Sequence, residues 1–208
     1  WYKRSAHRWK IFIYILLAAL GVGCAALTWT RCYAWKDGLT IYADALKKYP
    51  DNERAKTCYD HLLYYKNSVS AYSEEIQKDP KNAELYYNRA VFHSMPDAGF
   101  YQKALEDYGR AIALDPSVAE FYLNRGSIYQ EQNLNEAALA DYQKVAELKP
   151  ELTQAHFNRA LLFEKMGQKE KALESYRIFL ETISRFPEKN NEPGVQKAAA
   201  RARQKISL

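Results

Sequence analysis

Asn88, Asn124 and Asn158 are each followed by arginine, and they stand 36 and 34 residues apart. A carboxamide is both donor and acceptor, so a row of them matches the N–H and C=O of successive peptide units without reading side chains. The residues just before them, Tyr87, Leu123 and Phe157, are aromatic or apolar and would add sequence-tolerant contact. Tying one part of the chain to the next is an equal use for such amides, and the sequence leaves both open. Other chemistry is sparse. His7, His61, His93 and His156 are isolated from carboxylates at any recognisable spacing, and His156 reads as a core residue. A glycine-rich phosphate loop, a GxSxG elbow and Cys/His zinc spacing are all absent. No catalytic residue, metal ligand or cofactor is expected. Cys32 and Cys58 would share an oxidising compartment if the chain is exported, but nothing in the sequence fixes the geometry of a bridge.

The elements that must position these residues are bounded by composition. The chain has 208 residues, and 48% of them are apolar, which suits one or two folded domains and is too much for disorder. The net charge of +5 is local: residues 1–31 hold Lys3, Arg4, Lys10, Arg8 and Arg31 and no acid. The rest is balanced, so no basic domain exists to grip a phosphate backbone and nucleic acid is excluded as a partner.

The excess charge sits beside Ile11–Thr30, which carries no charge in 20 residues. A helix of that length covers about 30 Å, the thickness of the hydrocarbon core. Trp9 before it, and Trp29 and Trp35 at and after its end, stand where interfacial aromatics stand. The run is long for a signal peptide, and the residues after Cys24 stay apolar where a lipoprotein turns polar. The expectation is a retained membrane span. The basic residues place 1–10 in the cytoplasm and the remainder outside it, periplasmic or lumenal. Ala19, Gly23 and Ala26 form a small-residue stripe suited to packing against other transmembrane helices. The chain opens on Trp1 rather than Met, and the expectation is a leading stretch removed by processing or belonging to a longer membrane protein.

After the span the sequence repeats. Pro50, Pro80, Pro116 and Pro150 are spaced by 30, 36 and 34 residues, each with a Tyr eight residues earlier: Tyr42, Tyr72, Tyr108 and Tyr142. After each Asn-Arg comes a small residue, Ala90, Gly126 or Ala160, and a further alanine follows at Ala104, Ala138 or Ala172. Each unit holds two amphipathic stretches, such as 119–132 and 135–148, with proline ending the second. This period and these markers resemble the tetratricopeptide repeat, or TPR. The fold predicted is therefore all-α: one N-terminal transmembrane helix, then a TPR α-solenoid with a C-terminal capping helix. The segments are 1–10 basic, 11–30 span, 31–52 linker helix or half repeat, 53–187 solenoid, and 188–208 loop and cap. Within the solenoid the repeats are 53–82, 83–118, 119–152 and 153–187. The first is four residues short, the second has extra residues around Ser94–Gly99, and the last lacks its proline, so its final helix should run to about Phe186.

The resemblance implies a concave groove lined by the first helix of each repeat, with Tyr87, Asn88, Leu123, Asn124, Phe157 and Asn158 facing it. Its asparagine row resembles the ladder by which O-GlcNAc transferase repeats hold extended peptide. The stretch TWTRCYAWKDGLTIYADALKKYPDNERA, including Trp35-Lys36-Asp37, also resembles the last span and TPR region of transmembrane-and-TPR-containing O-mannosyltransferases, relatives in the GT-C superfamily. The catalytic acid of that family lies in an early lumenal loop with no counterpart here. The resemblance implies a non-catalytic, acceptor-docking part. The alternative is a single-pass TPR adaptor subunit of a bacterial envelope complex. Either way the expected partners are a protein or peptide in the groove, the membrane, and other transmembrane helices.

Overall fold

The computed structural model describes residues 38–95, 100–189 and 191–207. The apolar segment 11–30, with Trp9, Trp29, Trp35, Ala19, Gly23, Ala26 and Cys32, lies outside them. Among the described residues all regular structure is helical, and no helix is long and apolar enough to cross a membrane. The chain divides into two compact units, residues 1–66 and 67–208, with the boundary inside a helix.

In the first unit, α1 (Gly38–Lys48) is followed by a turn at Pro50 and by the start of α2 (Glu53–Lys78). Asn52 caps α2 by accepting from the Ala55 N–H at 3.0 Å, which satisfies one of the donors that a helix start leaves free. Ala55 is the one buried residue on either helix.

The helix α2 corrects the repeat expected over 53–82. It runs unbroken for 26 residues where a hairpin was anticipated. The cause is chemical. The hairpin turns at 132–134 and 166–168 pass through a residue with positive φ, Asn133 at 60° and Gly167 at 72°. Left-handed backbone of that kind is open chiefly to Gly and Asn. Between Glu53 and Lys78 there is no Gly or Pro, Asn67 lies within the unbroken helix, and the segment is four residues short of the period, which leaves no room for a turn between two helices. The local sequence therefore continues the helix.

The second unit stacks helix pairs. They are α3 (Ala83–His93) with α4 (Tyr101–Leu114), α5 (Ala119–Glu131) with α6 (Asn135–Leu148), and α7 (Thr153–Lys165) with α8 (Lys169–Arg185). A short 3₁₀ turn at Pro187–Lys189 leads to α9 (Pro193–Ile206), which packs on α8. Prolines 116 and 150 follow the ends of α4 and α6. With no proline at Ser184, α8 continues to Arg185 and Phe186 caps it.

The core is built from tyrosines set against small residues. Tyr108, Tyr142 and Tyr176 are fully buried on the second helices, as are Ala90 and Ala160 on the first. At the equivalent position a Cβ on Gly126 would lie 2.9 Å from Cε1 of Tyr142. This close approach is why a small residue follows each Asn-Arg. The last hairpin is closed by Ala199 and Ala202 of α9, buried against Tyr176 and Phe179. Glu164 pins α9 in place through Lys205 and through Arg201 at 3.5 Å, while accepting from the Tyr176 hydroxyl at 2.9 Å.

Candidate functional site

The first helices α3, α5 and α7 carry the asparagine row. Between α3 and α5 lies an open cleft of about 630 Å³, whose lining includes Lys81, Glu84, Tyr87, Asn88, Asp115 and Phe121. The Tyr87 and Phe121 rings stand 5.0 Å apart and form its aromatic floor. At the cleft's mouth Asn82 caps α3 by accepting from the Glu84 N–H at 3.1 Å.

The row is not uniform. Asn124 Nδ2 donates to the Tyr87 hydroxyl at 3.0 Å, across adjacent repeats, and its side chain also hydrogen-bonds Tyr108. Asn158 hydrogen-bonds Tyr142 of the repeat before it. Both amides therefore tie hairpins together. Asn88, in contrast, lines the cleft and makes no side-chain hydrogen bond among the described residues. The apolar neighbours are engaged as well. Leu123 packs on the cluster around Tyr142 and Val145. Phe157 lies 5.0 Å from Phe179 and 6.0 Å from Tyr176, inside the cluster that α9 closes. Of the six residues expected to face the groove, Tyr87 and Asn88 line the open cleft.

Two acidic side chains of the second helices are withdrawn from solvent. Asp107 and Asp141 are buried, and each accepts a two-pronged bond from an arginine. Arg89 reaches Asp107 at 2.8 and 2.7 Å, and Arg125 reaches Asp141 at the same two distances. The carboxylates hold both guanidiniums above their usual range. The signal was present in the sequence: each acid immediately precedes the repeat's buried tyrosine. In the last repeat that position is Ser175, and Arg159 has no acid opposite it among the described residues; burial lowers its pKa.

A second periodic bond ties the first helices to the prolines before them. Tyr86 and Tyr122 donate their hydroxyls to the carbonyls of Pro80 and Pro116, each at 3.3 Å. His156 takes the third place and bonds to the Pro150 backbone. It is buried, as the core reading expects, and burial lowers its pKa. Desolvation pushes the Tyr108 and Tyr176 hydroxyls up to about 12, with the Glu164 carboxylate adding to the second. Among the described residues no cluster of His, Cys, Asp or Glu could hold a metal ion. Cys58 is a half-buried free thiol.

Comparison with known proteins agrees with this architecture. Residues 97–133 and 126–167 match a family model described as TPR repeat, and residues 154–182 match one described as tetratricopeptide repeat. No curated protein matches. Among solved structures, the crystal structure of MamA superposes with a TM-score of 0.57 at 23% identity, covering 72% of this chain and 89% of that one. The type III secretion chaperone SycD of Yersinia enterocolitica, in complex with a peptide of the translocator YopD, gives 0.52 at 19% identity over 60% of this chain and 88% of that one. PcrH in complex with the chaperone-binding region of PopD gives 0.51 at 21% identity over 60% and 87%. At 19–23% identity these likenesses show a shared fold. With the 34-residue markers, the stacked hairpins and the family models in one register, residues 97–182 are tetratricopeptide repeats.

Proposed function

We propose that the chain is a non-catalytic scaffold that holds an extended segment of a protein partner along its first helices, entered at the cleft between α3 and α5. The observation that carries this reading is Asn88. It is an uncommitted carboxamide beside an aromatic floor, in an open cleft of about 630 Å³. Its donor and acceptor suit one peptide unit, and Tyr87 supplies apolar area beside it. The fold shared with SycD and PcrH, each solved with a piece of its partner, is in keeping with this use. Leu123, Asn124, Phe157 and Asn158 extend the groove but act first as joints between repeats.

The test separates the two roles within the row. The full chain is used to capture partners from a membrane extract, and each variant is also melted. Asn88→Ala should weaken capture by about 0.5–1.5 kcal/mol, one net hydrogen bond, and leave melting unchanged. Asn124→Ala should lower stability by about 1–3 kcal/mol, because it strands buried hydroxyls. Capture that survives both Asn88→Ala and Tyr87→Ala would remove the groove from consideration.

We further propose that residues 11–30 anchor this scaffold in a membrane with the repeats outside the cytoplasm. The charge-free run and the basic residues before it support that reading. On this view the chain is the acceptor-docking part of a polytopic glycosyltransferase of the O-mannosyltransferase kind, or an envelope adaptor. Protease added to spheroplasts, or to the lumenal side of microsomes, should digest the repeats; digestion solely from the cytoplasmic side overturns the orientation.

A further inference from the structure

Arg89, Arg125 and Arg159 stand at one position of the repeat, and the last lacks what the first two have. Arg89 and Arg125 each give Nε and Nη2 to the two oxygens of a buried carboxylate, on Asp107 and Asp141. The third hairpin keeps the register around that contact. Ala172 and Tyr176 are buried as their counterparts are, and Ser175 is buried where the two acids are. Serine has no carboxylate, and its hydroxyl donates to the Lys171 carbonyl at 2.9 Å. It sets no charge against Arg159.

Arg159 is half-buried, and among the described residues its guanidinium has no hydrogen-bond or ion-pair partner. Burial lowers its pKa and no carboxylate raises it, in contrast to Arg89 and Arg125. Glu151 and Glu181, which line the cleft beside Pro150 and His156, therefore do not neutralise it. The guanidinium can nevertheless be reached. None of its nitrogens is among the buried polar atoms without a partner, so all three keep accessible surface. A partly desolvated cation without a counter-charge is costly, and a carboxylate from another molecule relieves that cost. A second cation lies close by. The Lys171 ammonium stands 5.6 Å from the centre of the Phe163 ring, just as Arg125 stands 5.7 Å from the equivalent Tyr129 ring. Phe163 is one turn after Arg159 on α7, so the ammonium and the guanidinium share one side of the hairpin.

We propose that Arg159 is a docking point for a carboxylate of a partner protein, an Asp or Glu side chain that supplies from outside what Asp107 and Asp141 supply from within. The fork of a guanidinium matches the two oxygens of a carboxylate, and the two earlier repeats show this position accepting that match. Lys171 adds attraction along the approach. A neutral amide brings no charge to set against the cation. A phosphate would bring further charged oxygens to a single fork, and those would lack donors of the same kind.

The site lies in the last repeat, apart from the cleft between α3 and α5, so each can fail alone. The full chain is labelled with ¹⁵N and titrated with the blocked tripeptide acetyl-Gly-Asp-Gly-amide while the Arg159 Nε–H resonance is followed. A saturable downfield movement is expected, with the exposed Arg177 as internal reference. The peptide with Asn in place of Asp has the same shape and no charge, and should bind about tenfold more weakly. Ser175→Asp places the acid within the chain, so its Arg159 resonance should begin at the shifted position and no longer respond. Equal binding of the two peptides overturns the proposal, and that comparison needs no variant to fold. So does a response that persists in a folded Ser175→Asp chain, or one that Arg177 matches. Inorganic phosphate that moves the resonance at a lower concentration than the Asp peptide would make this a site for free anions, and overturns the proposal as well.

Discussion

Truncating Tyr142 to Ala is expected to destabilise the repeats by about 3–5 kcal/mol, the scale for deleting a large buried aromatic. Tyr142 is fully buried in the middle pair, and its contacts explain the size of the effect. The ring lies against Gly126, where no larger neighbour exists to relax into the space. Its hydroxyl donates to Gln130 Oε1 at 2.9 Å and also meets Asn158 of the next repeat, so the loss removes a joint as well as volume. In a stack whose stability is a sum of units and interfaces, the damage should spread to both neighbouring pairs. Hydrogen exchange should accelerate in α7 as well as in α5 and α6. The exposed Lys169→Ala serves as control, and a Tyr142→Ala melting curve indistinguishable from it would mean that the core has been assigned to the wrong residues.

How far the sequence leads can be judged at particular residues. The period, the small residue after each Asn-Arg and the buried tyrosines are all readable, because close helix packing admits few residue types. The extension of α8 and the closing role of α9 are readable for the same reason: a missing proline, then Pro193-Gly194 and an alanine-rich helix. The unbroken helix over 53–78 is hidden by the markers, because Tyr72 and Pro80 keep the repeat's spacing while the residues of its turn are missing. The asparagines were a harder case. Sequence gives their spacing, but whether an amide meets a ligand or a neighbouring tyrosine depends on distances between hairpins. Asn124 meets Tyr87 because the adjacent repeat brings that hydroxyl to 3.0 Å, which spacing alone does not reveal.

The buried ion pairs give the second large effect. Asp141→Ala should cost about 3–5 kcal/mol, because it strands the Arg125 guanidinium in a site built for its partner. Much of that cost is the unpaired charge rather than the worth of the bond. Replacing both residues, as Arg125→Met with Asp141→Leu, should therefore recover most of the loss. If the double variant melts as low as the single one, the pair contributes net stability and the desolvation argument fails. The last repeat offers the reverse experiment. Arg159 occupies the arginine position, but Ser175 stands where Asp107 and Asp141 stand, and burial already lowers the Arg159 pKa. Ser175→Asp supplies the missing acid in a backbone setting that two earlier repeats accept. Bonds between charged groups are worth about 1.5–3 kcal/mol before the new carboxylate's desolvation is set against them. A net gain of about 1 kcal/mol is expected, seen as a higher melting temperature. A fall would mean that the third pair of helices holds Ser175 and Arg159 in a geometry different from its predecessors, and that the equivalence drawn from repeat spacing does not extend to this position.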